Sequence, residues 1–267
     1  MHVTPSAVSQ RIKALEKQVG QVLLVRGKPC VATLAGTPLL RLAAQTAMLE
    51  AEAIAEMAGG GEGAPRPRIA MAVNADSMAT WFVGVLSKLP DVLFDIRIED
   101  QDHSARLLRE GVAMGAVTTE RAPVPGCRVH SLGVMRYLAV ASADYVKRYL
   151  SDGFTAKAVE MAPSLAWNRD DALQDMLVRK AFGRAVKRPV SYVPTAEGFG
   201  AAVQAGLGWG MYPEQSAAQA LADGSFVQVS DVHLDTPLFW QCWKLDSPLL
   251  ESLTATVLDA ADALRRS

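Results

Sequence analysis

The sequence is short of the residues and patterns that most chemistry needs. Cysteine occurs three times in 267 residues, as Cys30, Cys127 and Cys242. Far apart and odd in number, these exclude a disulfide framework and a CxxC metal or redox pair, and they fit a reducing compartment. No apolar run approaches the roughly 20 residues needed to cross a bilayer. The opening MHVTPSAVSQRIKALEKQ also lacks a basic cluster followed by an apolar h-region, so the expected location is cytoplasmic, away from any membrane. His2, His103, His130 and His233 stand isolated, with no HExxH or GxSxG motif, so neither an enzyme nor a metal or cofactor site is expected. Gly206-Leu207-Gly208-Trp209-Gly210 lacks the GxGxxG spacing of a dinucleotide loop and reads as a tight turn into a strand.

What is present is an ordinary globular composition, 50% apolar and 21% charged, with length for one to three domains. The net charge of −1 conceals an asymmetry: residues 1 to 41 carry Arg11, Lys13, Lys17, Arg26, Lys28 and Arg41 against Glu16 alone, a local net of +5 that leaves −6 elsewhere. A basic head on an acidic body suits a DNA-contacting module joined to a sensor, because neutralised phosphates supply most sequence-independent affinity. Composition leaves a solvated basic surface equally open.

Ala7, Val8, Ile12, Leu15 and Val19 recur at steps of three and four, which predicts an amphipathic helix from Pro5 to about Val19. Thr4 is its N-cap, Pro5 its first residue and Gly20 its stop. Two short apolar runs, Val22 to Val25 and Cys30 to Thr33, flank Arg26-Gly27-Lys28-Pro29 and read as a small hairpin with a basic tip. A second helix is expected to about Met57, with Leu39, Leu42, Thr46, Leu49 and Ala53 forming a seam for a partner helix or for its own domain. The run from Gly59 to Pro67 reads as a flexible linker that detaches this helix from the remainder of the chain. Beyond it, β-type runs alternate with helical stretches in two sets: Arg68 to Val73, Leu93 to Glu99 and Ala113 to Val117, then Arg136 to Ala141, Ser164 to Trp167, Ser191 to Val193 and Gly208 to Tyr212. Phe226 to Val229 and Leu238 to Lys244 complete the strands, and Pro248 to Arg265 is a last helix. Such alternation argues for an α/β fold of two lobes.

Thr4-Pro5-Ser6-Ala7-Val8-Ser9-Gln10-Arg11-Ile12-Lys13-Ala14-Leu15-Glu16 resembles the recognition-helix signature of LysR-type transcriptional regulators, and the hairpin with Thr33-Leu34-Ala35-Gly36 continues it as their wing. Pro194-Thr195-Ala196-Glu197 with Val203, Gly206, Gly208 and Pro213 looks like their second sensor lobe, while RGKPC, NADSMATW and EDQDH look like the LysG/ArgP subgroup, whose members sense lysine, arginine or histidine and control amino acid exporters. The resemblance implies a partial winged helix-turn-helix over 1–36, a dimerisation helix over 37–58, a linker over 59–67 and a two-lobed, periplasmic-binding-protein-like effector domain over 68–267. In that domain lobe I covers about 68–138 and 240–267, and lobe II about 139–239. It also implies that the first helix and most of the second helix of the helix-turn-helix are missing ahead of Met1. The implied partners are operator DNA, a basic amino acid effector, a second copy in a dimer or tetramer, and RNA polymerase when activating. A sensor-only dimer without DNA binding and a solute-binding protein of the same fold are the alternatives.

For DNA, the resemblance places Thr4, Ser6, Ser9 and Gln10 toward base edges and Arg11 and Lys13 toward phosphates, with Arg26 and Lys28 at the hairpin tip near the minor groove or backbone. Ser6 also suits helix capping, and the cations a solvated face. For an effector, Asn74, Asp76 and Ser77 lie between a strand and a helix, where N–H groups hold an anion such as an α-carboxylate. Ser77 is the expected anchor, and Asp76 either caps the helix or takes an α-ammonium. Asp100 and Asp102 end the next strand and either pair with a cationic side chain or form a solvated loop. Trp167, Asn168 and Thr195 either line an opposing wall or serve packing and capping.

Overall fold

The computed structural model describes residues 4–57, 66–99 and 104–265. Asp100, Asp102 and the run from Gly59 to Gly63 lie outside these residues. Along the chain come α1 (Pro5–Val19), β1 (Leu24–Val25), β2 (Val31–Ala32), α2 (Thr37–Met57) and β3 (Arg68–Val73). A helical segment comes next, opening as α3 (Ala75–Ser77), widening to a π turn over Met78–Phe82 and closing as α4 (Val83–Ser87). Then come β4 (Leu93–Ile98), α5 (Ser104–Arg109), β5 (Gly115–Thr118), β6 (Cys127–Ala141), α6 (Ala143–Tyr149), α7 (Ala156–Met161) and β7 (Ser164–Ala166). The remainder is α8 (Leu173–Phe182), β8 (Val190–Tyr192), α9 (Ala196–Gln204), β9 (Gly210–Pro213), α10 (Glu214–Ala222), β10 (Val227–Gln228), β11 (Leu234–Trp243), α11 (Pro248–Ala260) and α12 (Asp262–Arg265).

Two compact units share the chain: 1–73, 89–129 and 240–254 form one, and 74–88, 130–239 and 255–267 the other. In the first unit α1 has the expected ends, with Thr4 Oγ1 accepting from Ala7 N at 3.3 Å and Gly20, at φ 75°, donating to Glu16 O at 2.9 Å. Glu16 Oε1 accepts from Leu23 N at 2.9 Å, which ties the helix to the hairpin. Strand β3 lies between β4 and β5, parallel to both, with Val73 opposite Ile98 and Met71 opposite Gly115. Gly115 is required because a Cβ there would lie 2.3 Å from the Trp240 ring. The buried Gln241 amide accepts from Val124 N and donates to Glu120 O and Ala122 O, so both of its ends are satisfied.

Helix α2 is not detached as the sequence suggested. It packs on α5, Arg41 Nη1 donates to Pro125 O at 2.9 Å, and Glu52 Oε1 accepts from Ser247 Oγ at 2.7 Å and Leu249 N at 3.3 Å. Met48 is buried on this face, whereas Leu42 and Leu49 of the expected seam are exposed, Leu42 by 56%.

In the second unit β9 joins two groups of strands. It pairs antiparallel with β6, Tyr137 opposite Pro213, and β6 pairs with β10 on its other side. Through Trp209, β9 runs parallel to β7, which pairs with β8. This order, β8-β7-β9-β6-β10, puts Tyr137 and the residues just after β7 and β8 at one end of the strands, the carboxyl end of β7, β8 and β9. Leu138, Val140, Leu165, Phe199, Val203, Ala217 and Phe226 form the core beside them. Three features escape a periodicity reading. Strand β6 extends back to Cys127, where alternation is broken by Ser131 and Gly133, and the short helices α7 and α10 carry no long stripe.

Candidate functional site

The basic head presents its polar residues outward. Thr4, Ser6, Ser9, Gln10, Arg11 and Lys13 on α1, and Arg26 and Lys28 at the hairpin tip, are all exposed. Arg11, Lys13, Arg26 and Lys28 make no ion pair among the described residues, so their charges are available to phosphates. Thr4 also serves as the cap of the helix that carries the others. Every residue of α1 is at least partly exposed, and its apolar stripe includes Val8, Leu15 and Val19 on the surface.

The second cluster belongs to the unit that holds α3 and β6 to β10. Asn74, in extended conformation, caps the helical segment by accepting from Ser77 N at 2.7 Å. This corrects the alternative in which Asp76 caps: Asp76 lies inside the first turn, where its carboxylate instead accepts from Tyr137 Oη at 2.6 Å. The Asn74 amide nitrogen and the Ser77 hydroxyl, 4% and 0% exposed, have no hydrogen-bond partner among the described residues. An unpaired buried polar group costs about 1–3 kcal/mol, and a ligand that pairs it recovers that cost. Thr80 Oγ1 bonds to Asp76 O at 2.7 Å, a side-chain bond to the preceding turn that accompanies the widening into the π turn.

Trp167, Asn168 and Thr195 come after β7 and β8 at the same strand end. Asn168 Oδ1 accepts from Asp170 N and Asp171 N, and Thr195 Oγ1 accepts from Gly198 N, so Asn168 turns the loop and Thr195 caps α9. Trp167 is partly exposed, and its backbone N–H donates to Asp171 Oδ2 at 2.8 Å. Asp171 also accepts from Leu173 N at 3.0 Å and from Gln174 Nε2 at 3.4 Å. Burial pushes the Asp76 carboxyl above its usual range; the Tyr137 hydrogen bond opposes that rise and the negative charge of Asp171 adds to it. Burial also raises the Tyr212 hydroxyl, with the charge of Asp76 contributing. The charge of Asp171 thus reaches Asp76, and neither carboxylate makes an ion pair among the described residues.

Residues 1–37 match the bacterial regulatory helix-turn-helix protein of the lysR family, and residues 62–262 match the LysR substrate binding domain. The chain belongs to the LysR family. The HTH-type transcriptional regulator LysG of Mycobacterium tuberculosis is 73% identical over 266 residues, spanning 100% of this chain and 88% of that protein. The crystal structure of ArgP from M. tuberculosis has a TM-score of 0.93 at 73% identity, covering 98% of this chain and 90% of that one. Full-length LysG from Corynebacterium glutamicum with bound effector arginine has a TM-score of 0.83 at 41% identity, covering 98% and 90%. As a LysR-type transcriptional regulator the protein pairs a DNA-binding helix-turn-helix with an effector-binding α/β domain, and the relatives are regulators rather than enzymes. No helix among the described residues is long and apolar enough to cross a membrane. Tyr137, Asp171, Gln174 and Tyr212 were not singled out from sequence; the only local signal was the acidic pair Asp170-Asp171 after a strand.

Proposed function

We propose that this LysR-type regulator responds to a basic amino acid, lysine, arginine or histidine, and controls an amino acid exporter gene. The observation that carries the ligand class is the cluster around Asp76, in which, among the described residues, the Asn74 and Ser77 donors are unpaired and the carboxylates of Asp76 and Asp171 have no ion-pair partner. A zwitterion with an additional positive charge satisfies both, its α-carboxylate taking the Asn74 and Ser77 donors and its α-ammonium taking Asp76. The arginine bound to the C. glutamicum relative supports the same class, and the resemblance of NADSMATW to the LysG/ArgP subgroup supports the exporter target. Calorimetry of the purified protein with lysine, arginine and histidine, against leucine and glutamate, tests the reading. Saturable binding confined to the basic amino acids is expected, and equal or stronger binding of a neutral or acidic amino acid refutes it.

On DNA, Thr4, Ser6, Ser9 and Gln10 read base edges, Arg11 and Lys13 hold phosphates, and Arg26 and Lys28 extend the contact from the wing. The active species is a dimer formed through α2, and the regulator works in the cytoplasm with RNA polymerase as its partner when it activates. The exposed apolar residues Leu42 and Leu49, on a flank of the helix beside the face that is already occupied, support the dimer.

A further inference from the structure

The basic amino acid reading leaves one end of the ligand without a partner. The α-carboxylate and α-ammonium have Asn74, Ser77 and Asp76, but the second positive charge, which distinguishes a basic amino acid from a neutral one, needs its own acceptor. Asp100 and Asp102, the sequence candidates for that task, lie outside the described residues. A different pair stands at the same strand end as Asp76. Asp171 comes after β7, Tyr137 holds Asp76 at the adjoining end of β6, and β9 joins these strands.

Gln174, on the first turn of α8, is the unusual member. It is 1% exposed, its amide nitrogen donates to Asp171 Oδ2 at 3.4 Å, and its Oε1 has no hydrogen-bond partner among the described residues. The two ends of a primary amide share one carbon, so anchoring the nitrogen on Asp171 holds the oxygen beside that carboxylate. The two together present a negative charge and a carbonyl acceptor, and among the described residues no donor pairs with Gln174 Oε1. Asp171 is itself held by the backbone N–H groups of Trp167 and Leu173, which fixes the carboxylate on which the amide is anchored. A structural amide would be paired at both ends, as Gln241 is. A half-paired amide at a fully buried position is what a missing N–H donor leaves behind.

We propose that Asp171 and Gln174 seat the side-chain cation of the ligand, with Gln174 Oε1 accepting a hydrogen bond from its ammonium or guanidinium. The inference rests on the basic amino acid reading of the site. It makes Gln174 a specificity-determining residue: the carboxylate of Asp171 supplies attraction to any cation, and the amide oxygen supplies a directed acceptor that a neutral side chain leaves empty.

Calorimetry of the whole chain with lysine, arginine and the neutral analogue norleucine tests it, using Gln174→Met, Gln174→Glu and Asp171→Asn. Met fills the space without an acceptor, whereas Glu keeps an oxygen in the same place. In Gln174→Met, lysine and arginine are expected to weaken about 10- to 100-fold, the span of one charge-assisted hydrogen bond, with norleucine unchanged. Gln174→Glu should retain the preference for the charged ligands, and Asp171→Asn should lose most of it. Equal losses for all three ligands in Gln174→Met overturn the assignment. So does an undiminished preference in that variant, or a selective loss seen in Asp100→Asn or Asp102→Asn instead. Failure of the underlying reading shows separately, in the unmodified protein, as no binding of lysine or arginine at all.

Discussion

At the scale of single residues, the proposed effector cluster is a set of polar groups held short of their full complement, and Asp76 shows the energetic sign of that state. Its folded carboxyl titrates above its unfolded value, chiefly through burial. A raised acid takes up a proton on folding, so ionised Asp76 costs stability above its folded pKa; the cost is relieved as pH falls through that value and is absent below the usual carboxylate range. Asp76→Asn keeps an oxygen for the Tyr137 hydroxyl and removes the charge. Its gain in melting temperature over the parent, without ligand, should be largest at neutral pH and shrink on acidification. A difference that is flat with pH contradicts the burial account. On the head, Gln10→Ala should reduce discrimination between operator and random DNA by about 1–3 kcal/mol, the worth of a bidentate base contact, while Lys13→Ala should weaken both alike. Competition titrations on the two DNAs check this, and a Gln10→Ala protein that binds every sequence as the parent does would leave Gln10 without a base-reading role.

At the scale of elements, α2 carries one docked face and one exposed apolar flank, which the proposed dimer would cover. Arg41, Met48 and Glu52 face its own unit, and the exposed Leu42 and Leu49 lie on a flank roughly 90° around the helix from them. The Leu42→Glu, Leu49→Glu double variant should therefore leave the fold intact and yield monomers, since two carboxylates buried in a helix pair cost several kcal/mol. Sedimentation that finds an unchanged dimer would place the interface elsewhere. Elements of this kind were legible in the sequence: α1 declared itself by cap, proline, stripe and closing glycine, and β3 by an apolar run before Asn74. Docking of α2 was not legible, because Glu52 meets Ser247 and Leu249 across nearly two hundred residues of sequence and no local pattern records that. The same holds for the site. Asn74 and Ser77 could be proposed from sequence because a strand-to-helix junction is a local signal, whereas Tyr137 and Gln174 join the candidate site only through strands brought together by pairing. Asp76 was assigned two alternative roles since a carboxylate near a helix start suits either; its tertiary partner decided against capping.

At the scale of the whole molecule, the charge asymmetry sets the behaviour on DNA. With six cations against one acid in residues 1 to 41, binding should fall steeply with salt. The slope of log affinity against log salt should lose about one unit of magnitude in Lys13→Ala if that lysine neutralises one phosphate. An unaltered slope measured by anisotropy would assign Lys13 to solvent. The division of the chain has an effect of another kind. The backbone passes between the two units five times, after Val73, Lys88, Val129, Phe239 and Thr254. A protease that nicks the exposed turn at Asp152-Gly153 therefore produces two fragments that each own part of both units. Neither fragment can leave without dismantling both cores, so the gene split at that turn and expressed as two open reading frames should reassemble into one particle.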